Sequence, residues 1–302
     1  MSSKAVTVDQ VLIDHERCNA CGRCVRDCMY GALRLEEDTA RGNQRRYRAR
    51  TIPGAPCAEC GHCVAVCPRG AIEIPALGAA HPAQELPSAE SVRNLMRLRR
   101  SIRDFTDEPV TREQVDQLLS AAAHAPSGCN ARSASVTVVV DPFVIQQIER
   151  HTAATLRPLA RLVKMPVVHG ALSLLPFAGL RGLVDEHITQ AADLVISGKA
   201  GRRQWVTLGA PALLLFHALP SRPTPMEDCC IAADHVALLA LTLGLGTCWN
   251  GVVAGAIGTL PHIRRRLALP RGERVYVALS LGHPAVRHSR AAPRRPLKVH
   301  YV

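Results

Sequence analysis

The spacing of apolar positions is clearest after residue 110. TREQVDQLLSAAAHA puts Val115, Leu118, Leu119 and Ala122 on one face at helical spacing. Thr111 and Gln114 form a capping box that marks the helix start. SVTVVVD at 135–141 is β-branched and predicts a strand. PFVIQQIERHTAATL and HITQAADLVISGK read as helices. APALLLFHAL at 210–219 is apolar almost throughout and predicts a buried strand. MEDCCIAADHVALLALTLGLG predicts a long, mostly buried helix, and ERVYVALSLGHP a further strand. Helices and strands in this order predict an α+β or α/β body. The apolar stretch 160–184, interrupted by Pro166 and Pro176, fits no single element and is expected to form a lid or a dimer contact.

PALGAAHPAQELPSAE breaks the pattern with prolines and small residues, as a linker does. The expected organisation is a small domain at 1–75, a linker at 76–88 and a larger domain at 89–302.

Cysteine placement changes the picture of the small domain. Of twelve cysteines, eight fall in the runs CNACGRCVRDC and CAECGHCVAVCP. Cys18, Cys21, Cys24 and Cys28 follow C-x2-C-x2-C-x3-C, and Cys57, Cys60, Cys63 and Cys67 repeat it. This is the spacing of bacterial ferredoxins that hold [4Fe–4S] clusters. Three closely spaced thiolates wrap three corners of a cube, and the fourth comes from a distance. In two-cluster ferredoxins the last cysteine of each run serves the other cluster. Cluster I would take Cys18, Cys21, Cys24 and Cys67, and cluster II Cys57, Cys60, Cys63 and Cys28. Zinc sites use two cysteine pairs split by a longer loop, which two runs of three x2-spaced cysteines do not match. Pro68 follows the second run and Met29 the first; proline shapes the chain there but binds no iron, so Met29 leaves the ligand set intact. YGAL and RGAI after the runs match each other as two halves of a repeat. EEDTARGNQRRYRARTIPGAP between them reads as a charged surface insertion.

Composition narrows the function class. Hydrophobic content of 47% and charged content of 21% predict an ordinary core. A net charge of +12 suggests anionic cofactors or acidic partners. With aromatic content of 3%, stacking platforms for single-stranded nucleic acid are scarce, and no recognition-helix pattern is present, so no nucleic-acid partner is expected. No apolar targeting segment opens the chain, and no clean apolar span of membrane length appears, so a cytoplasmic protein with no membrane partner is expected. The sequence contains no P-loop, and no glycine fingerprint between a strand and a helix.

Five segments in order carry a resemblance: RRSIRDFTDEPV (99–110), AAHAPSGCN (122–130), GAPALLLFHA (209–218), GLGTCWNG (244–251) and APRRPL (292–297). Together they resemble the nitroreductase family of FMN enzymes over about residues 90–302. With the cysteine runs the chain resembles the ferredoxin-containing subfamily. The resemblance implies a bacterial-ferredoxin-like domain followed by an α+β sandwich that binds FMN. Arginine forks suit a phosphate. By resemblance Arg99, Ser101 and Arg294 would hold the FMN phosphate. Arg103 would reach the ribityl or pyrimidine edge, and Arg100 and Arg295 complete the cationic set. Pro126, Ser127, Gly128 and Asn130 match the loop that contacts the isoalloxazine. The family usually continues with Gln-Pro-Trp, and this chain instead has Arg132 and Ser133 in ARSAS. Asn250 and Gly251 match the segment that offers a backbone donor near flavin N5. Trp249 is either a pocket wall or a core residue.

Cys129, Cys229, Cys230 and Cys248 lack ligand spacing; Cys229 and Cys230 read as small core residues, and Cys129 lies in the flavin loop. The thirteen histidines do not cluster and read as surface or satisfied core residues.

The resemblance implies an iron–sulfur flavoprotein oxidoreductase and a homodimer. Electrons from reduced ferredoxin or NAD(P)H would pass through the clusters to FMN and on to an electron-poor acceptor of nitroaromatic, quinone or enone type. The cofactor carries the chemistry, so no protein acid or base is assigned. Two other readings stay open: a dehydrogenase running in reverse, and a redox-sensing or electron-transfer subunit without its own substrate.

Overall fold

The computed structural model describes residues 7–38, 46–168 and 204–302. The predicted helix at 187–199 and most of the 160–184 stretch lie outside the described residues. Two compact units divide the chain: Met1–Leu86 with Cys129–Ala131, and Pro87–Gly128 with Arg132–Val302.

The first unit has two similar halves. β1 (Leu12–Ile13) pairs antiparallel with β4 (Ile72–Glu73). α1 (Arg23–Asp27) and α2 (His62–Ala65) are short helices that follow left-handed Gly22 and Gly61. Gly31 and Gly70 are also left-handed, at φ 60° and 55°, and match each other in position. β2 (Leu33–Asp38) and β3 (Arg46–Thr51) form an antiparallel hairpin. The segment expected to be a surface insertion therefore contains a strand. RYRART alternates Tyr47 and Ala49 with arginines, as a strand does, and Arg50 meets Glu36 at 3.1 Å and Arg48 meets Asp38 at 2.6 Å across the ladder. Val8, Val11, Ala32, Leu33, Ala49, Ile72 and Ile74 form this unit's core.

The second unit is α+β, built on an antiparallel sheet of order β5–β6–β8–β7. Its strands are β5 (Ser135–Val139), β6 (Ala212–Ala218), β7 (Gly246–Trp249) and β8 (Arg274–Gly282). All seven residues of β6 are buried, because helices cover both faces of the sheet. Ala212, Leu214 and Phe216 point to the face covered by α4 (Arg112–Ala123) and α6 (Pro225–Thr242). Leu213 and Leu215 point to the opposite face, covered by α5 (Pro142–Val163), α7 (Gly251–Thr259) and α8 (Pro261–Arg266). Two-sided burial explains why β6 reads as a continuous apolar run without alternation. The Thr111–Gln114 capping box is present. α3 (Ala89–Leu98) starts at Ser88, whose side chain accepts from the Ser91 N–H. Buried His217 sits between Thr137 Oγ1, at 2.9 Å, and the Glu273 carboxylate, so it is a satisfied core histidine. Among the described residues no helix is long and apolar enough to cross a membrane.

Candidate functional site

In the first unit the two cysteine runs do not each close on themselves. One cavity is lined by Cys18, Cys21, Cys24 and Cys67. A second is lined by Cys57, Cys60, Cys63 and Cys28. The short helices after Gly22 and Gly61 turn each run inward, and the β1–β4 pair brings the two halves together. Burial pushes the Cys24 thiol up, and the neighbouring Cys18 and Cys67 add to it. Cys63 is pushed up to about 11, first by burial and then by Cys60, Cys57 and Cys28. Backbone N–H groups aim at sulfur: Ala32 at Cys28 and Ala71 at Cys67, each at 3.3 Å, and Glu59 at Cys57 at 3.4 Å. Such bonds stabilise thiolate and raise cluster potentials. Among the described residues no three His, Cys, Asp or Glu side chains converge on one metal ion. The cysteines stand instead around two cavities with apolar walls, four to each, which fits a pair of four-iron clusters.

In the second unit the arginine segment leaves α3 at Arg99 and runs along the outer edge of β7. Ser101 forms a parallel bridge with Thr247, and the Ile102 N–H donates to the Thr247 carbonyl at 2.9 Å. Ile102 and Phe105 are buried. Gly246 allows the close approach: a Cβ there would lie 2.5 Å from Ile102 Cγ1. Cys248 is buried in β7 beside this segment. Burial pushes that thiol up, while the Arg103 charge and a Ser101 hydrogen bond act the other way. Arg99 and Arg100 line a cavity with Arg287 and His288 over an apolar floor that includes Ile102, Leu241 and Leu245. Arg100 donates to the Ala292 carbonyl at 3.1 Å, which ties the tail carrying Arg294 and Arg295 to this segment. Arg100 Nε is buried and has no hydrogen-bond partner. A cationic edge with an unsatisfied buried donor fits an anionic group such as a phosphate. Arg294 and Arg295 themselves are exposed.

The turn that begins at Pro126 is strained. Cys129, Asn130 and Arg132 have φ of 53°, 52° and 42°, which L side chains rarely adopt. The Ser127 side chain accepts from the Arg132 N–H at 2.9 Å. Asn130 groups with the first unit, where its side-chain nitrogen donates to the Ala58 carbonyl at 2.7 Å.

Asn250 is buried, and its side chain serves the fold. Oδ1 accepts from the Val253 N–H at 3.0 Å and caps α7. Nδ2 donates to the Val206 carbonyl at 2.7 Å and to Ser280 Oγ at 3.0 Å. Ser280 Oγ donates to the Thr207 carbonyl at 3.1 Å. Thr207 donates to Glu149 from its N–H at 2.7 Å and its hydroxyl at 2.9 Å. What this segment offers a ligand is therefore backbone, since Gly251 is exposed at the first position of α7, where an N–H has no intrahelical acceptor. Trp249 is 38% exposed and is not a core tryptophan. Sequence reasoning missed Glu149, Thr207, Thr224, Asp228 and Ser280; Glu149 stands beside Arg150 and Asp228 beside Glu227, so neither carboxylate stood out locally.

Fold and cysteine cavities together fit an iron–sulfur protein with a separate α+β body. The nitroreductase family profile matches residues 96–283, and that of a 4Fe-4S dicluster domain matches residues 17–72. The chain belongs to the nitroreductase family and carries a 4Fe-4S dicluster domain ahead of it. It is similar to an FMN reductase [NAD(P)H] of Bacillus subtilis, 28% identical over 65% of this chain and 67% of the relative. It is also similar to a 4-nitrobenzoate reductase of Nocardioides, 26% identical over 73% of this chain and 93% of the relative. Among solved structures, an FMN-dependent nitroreductase of Clostridium difficile superposes with a TM-score of 0.53 at 22% identity, over 71% of this chain and all, 100%, of that one. A nitroreductase with bound FMN from Desulfitobacterium hafniense gives 0.51 at 22% identity, over 72% of this chain and 100% of that one. These likenesses bear out the α+β fold and the family resemblance of the sequence.

Proposed function

We propose that this iron–sulfur flavoprotein oxidoreductase takes electrons from reduced ferredoxin or NAD(P)H and delivers them to an electron-poor nitroaromatic, quinone or enone. The observation that carries the reading is the pair of four-cysteine cavities in a chain that also bears the nitroreductase domain. When bound, the clusters supply one-electron transfer and FMN supplies hydride transfer to the acceptor.

The chain's own residues bind and orient. Cys18, Cys21, Cys24 and Cys67 would hold one cluster, and Cys57, Cys60, Cys63 and Cys28 the other. Arg99, Arg100, Ser101 and Arg294 would hold the FMN phosphate, with Arg295 beside them. Arg103 would lend positive charge to the flavin's polar edge. Pro126, Ser127 and Gly128 would face the ring, Asn130 would contribute its backbone because its side-chain nitrogen bonds the Ala58 carbonyl, and Gly251 would present a backbone donor. Eight cluster thiols require a reducing compartment, which in this reading is the cytoplasm. A homodimer is part of the reading on the family resemblance and is checked by mass in solution.

The test is anaerobic purification followed by an acceptor screen with reduced ferredoxin and NAD(P)H compared as donors. The expected product is brown protein with about eight irons and one FMN per chain that turns over at least one acceptor class. Protein with full cofactor content that turns over none of the three classes would overturn the enzyme reading in favour of a sensor.

A further inference from the structure

Asp228 lies in the first turns of α6 and is 2% exposed. Its Oδ1 accepts from the Gly128 N–H at 3.1 Å and from the Thr224 hydroxyl at 2.7 Å. Thr224 Oγ1 in turn accepts from the same Gly128 N–H at 3.0 Å. One donor is thus shared between a carboxylate and a hydroxyl that are bonded to each other. Oδ2 is buried and has no hydrogen-bond partner. A buried, half-satisfied carboxylate is a costly way to fill space. What it achieves is contact with one backbone N–H a hundred residues earlier in the chain. Glycine is required at that contact, because a Cβ on residue 128 would lie 2.2 Å from Thr224 Oγ1. The strained residues Cys129, Asn130 and Arg132 follow at once. Left-handed backbone at three non-glycine positions persists only where the surroundings enforce it.

We propose that Asp228, acting with Thr224, is a positioning residue that clamps the start of the strained turn Ser127–Arg132. The functional consequence rests on the flavin reading of that turn: the clamp sets where Ser127 and Gly128 stand relative to FMN. Asp228 touches no reacting atom.

The test uses the full-length protein with its cofactors, comparing Asp228→Ala, Thr224→Val and Asp228→Asn. Amide exchange is measured at Gly128 and FMN affinity by fluorescence. A hydrogen bond to a charged group implies about ten- to a hundredfold faster exchange when it is lost. Asp228→Ala should show that change at Gly128, and Thr224→Val, which removes a neutral acceptor, a smaller rise of about two- to tenfold, each with weaker FMN binding and unchanged iron content. Asp228→Asn keeps an oxygen at Oδ1 and should restore protection, which general destabilisation would not do. Unchanged Gly128 exchange in Thr224→Val and Asp228→Ala overturns the clamp; if Asp228→Ala does not fold, Thr224→Val alone decides. Faster exchange with unaltered FMN affinity upholds the clamp and overturns the flavin placement of the turn.

Discussion

Cys28 lines a cavity with Cys63, although the cysteines nearest to it in sequence line the other one. Burial raises the Cys63 thiol, and Cys28 is among the neighbours that add to it. Each run thus lines one cavity with three cysteines and the other with its fourth. Cys28→Ala should damage the cluster of Cys57, Cys60 and Cys63, and Cys67→Ala that of Cys18, Cys21 and Cys24. Iron analysis with spectroscopy of both reduced clusters checks this. Damage confined to the cluster of the mutated run would show that each run closes its own site.

Removing a donor from the edge of β7 should loosen the flavin. Arg99→Ala, Ser101→Ala and Arg294→Ala each delete a proposed phosphate contact, and a charged hydrogen bond contributes roughly 1.5–3 kcal/mol. FMN affinity should fall about ten- to a hundredfold in each arginine variant, read by fluorescence titration. Equal affinity in all three would remove the phosphate site from this edge.

Asn250 makes a different kind of contribution. Asn250→Ala loses the cap on Val253 and leaves the Val206 carbonyl and Ser280 without their donor. The expected cost is about 2–4 kcal/mol, from the cap and the buried groups together. Chemical denaturation measures it. A stability change below about 1 kcal/mol would contradict this structural role for the Asn250 side chain.

Much of this arrangement was legible in advance because spacing carries it. Cysteine spacing indicated two four-cysteine groups that draw on both runs, as the two cavities do, and the apolar run at 210–219 indicated a buried strand. The Thr111–Gln114 cap was readable because it is local. Long-range polar contacts were not readable. The bonds of Asp228 to Gly128 and of Glu149 to Thr207 join residues distant in sequence, and no short window contains both partners. β3 was missed although Tyr47 and Ala49 alternate with arginines in RYRART, because the density of charge around it reads as solvated surface.

Thiol chemistry should separate Cys129 from Cys229. Cys129 is exposed, whereas burial pushes Cys229 up to about 12, with Cys230, Asp228 and Glu273 adding to it. Alkylation of intact protein at pH 8, followed by peptide mass analysis, should modify Cys129 and spare Cys229. The sign of the pH effect on stability follows. The folded thiol keeps its proton more tightly than the unfolded one, whose ordinary value is 9.0. Its contribution is complete below about 9 and is lost as pH rises from there toward 12. Rapid labelling of Cys229 at pH 8 would contradict its burial.

Each unit has its own core, so deleting residues 1–86 should separate two activities. Val8, Ile72 and Ile74 belong to the first core, and Leu214, Phe216 and Leu279 to one of the two clusters in the second unit. All five family segments lie in the part that remains. The truncated protein should therefore fold, lose its iron and keep FMN. Reduction of a nitroaromatic by NAD(P)H should persist, because a nicotinamide can hand two electrons directly to a flavin. Reduction by ferredoxin should collapse, because a one-electron donor then lacks the clusters as a relay. FMN content is measured first, so that loss of flavin is not mistaken for loss of the relay. An FMN-loaded truncation that accepts electrons from ferredoxin as fast as the whole chain would show that the clusters are not the entry path.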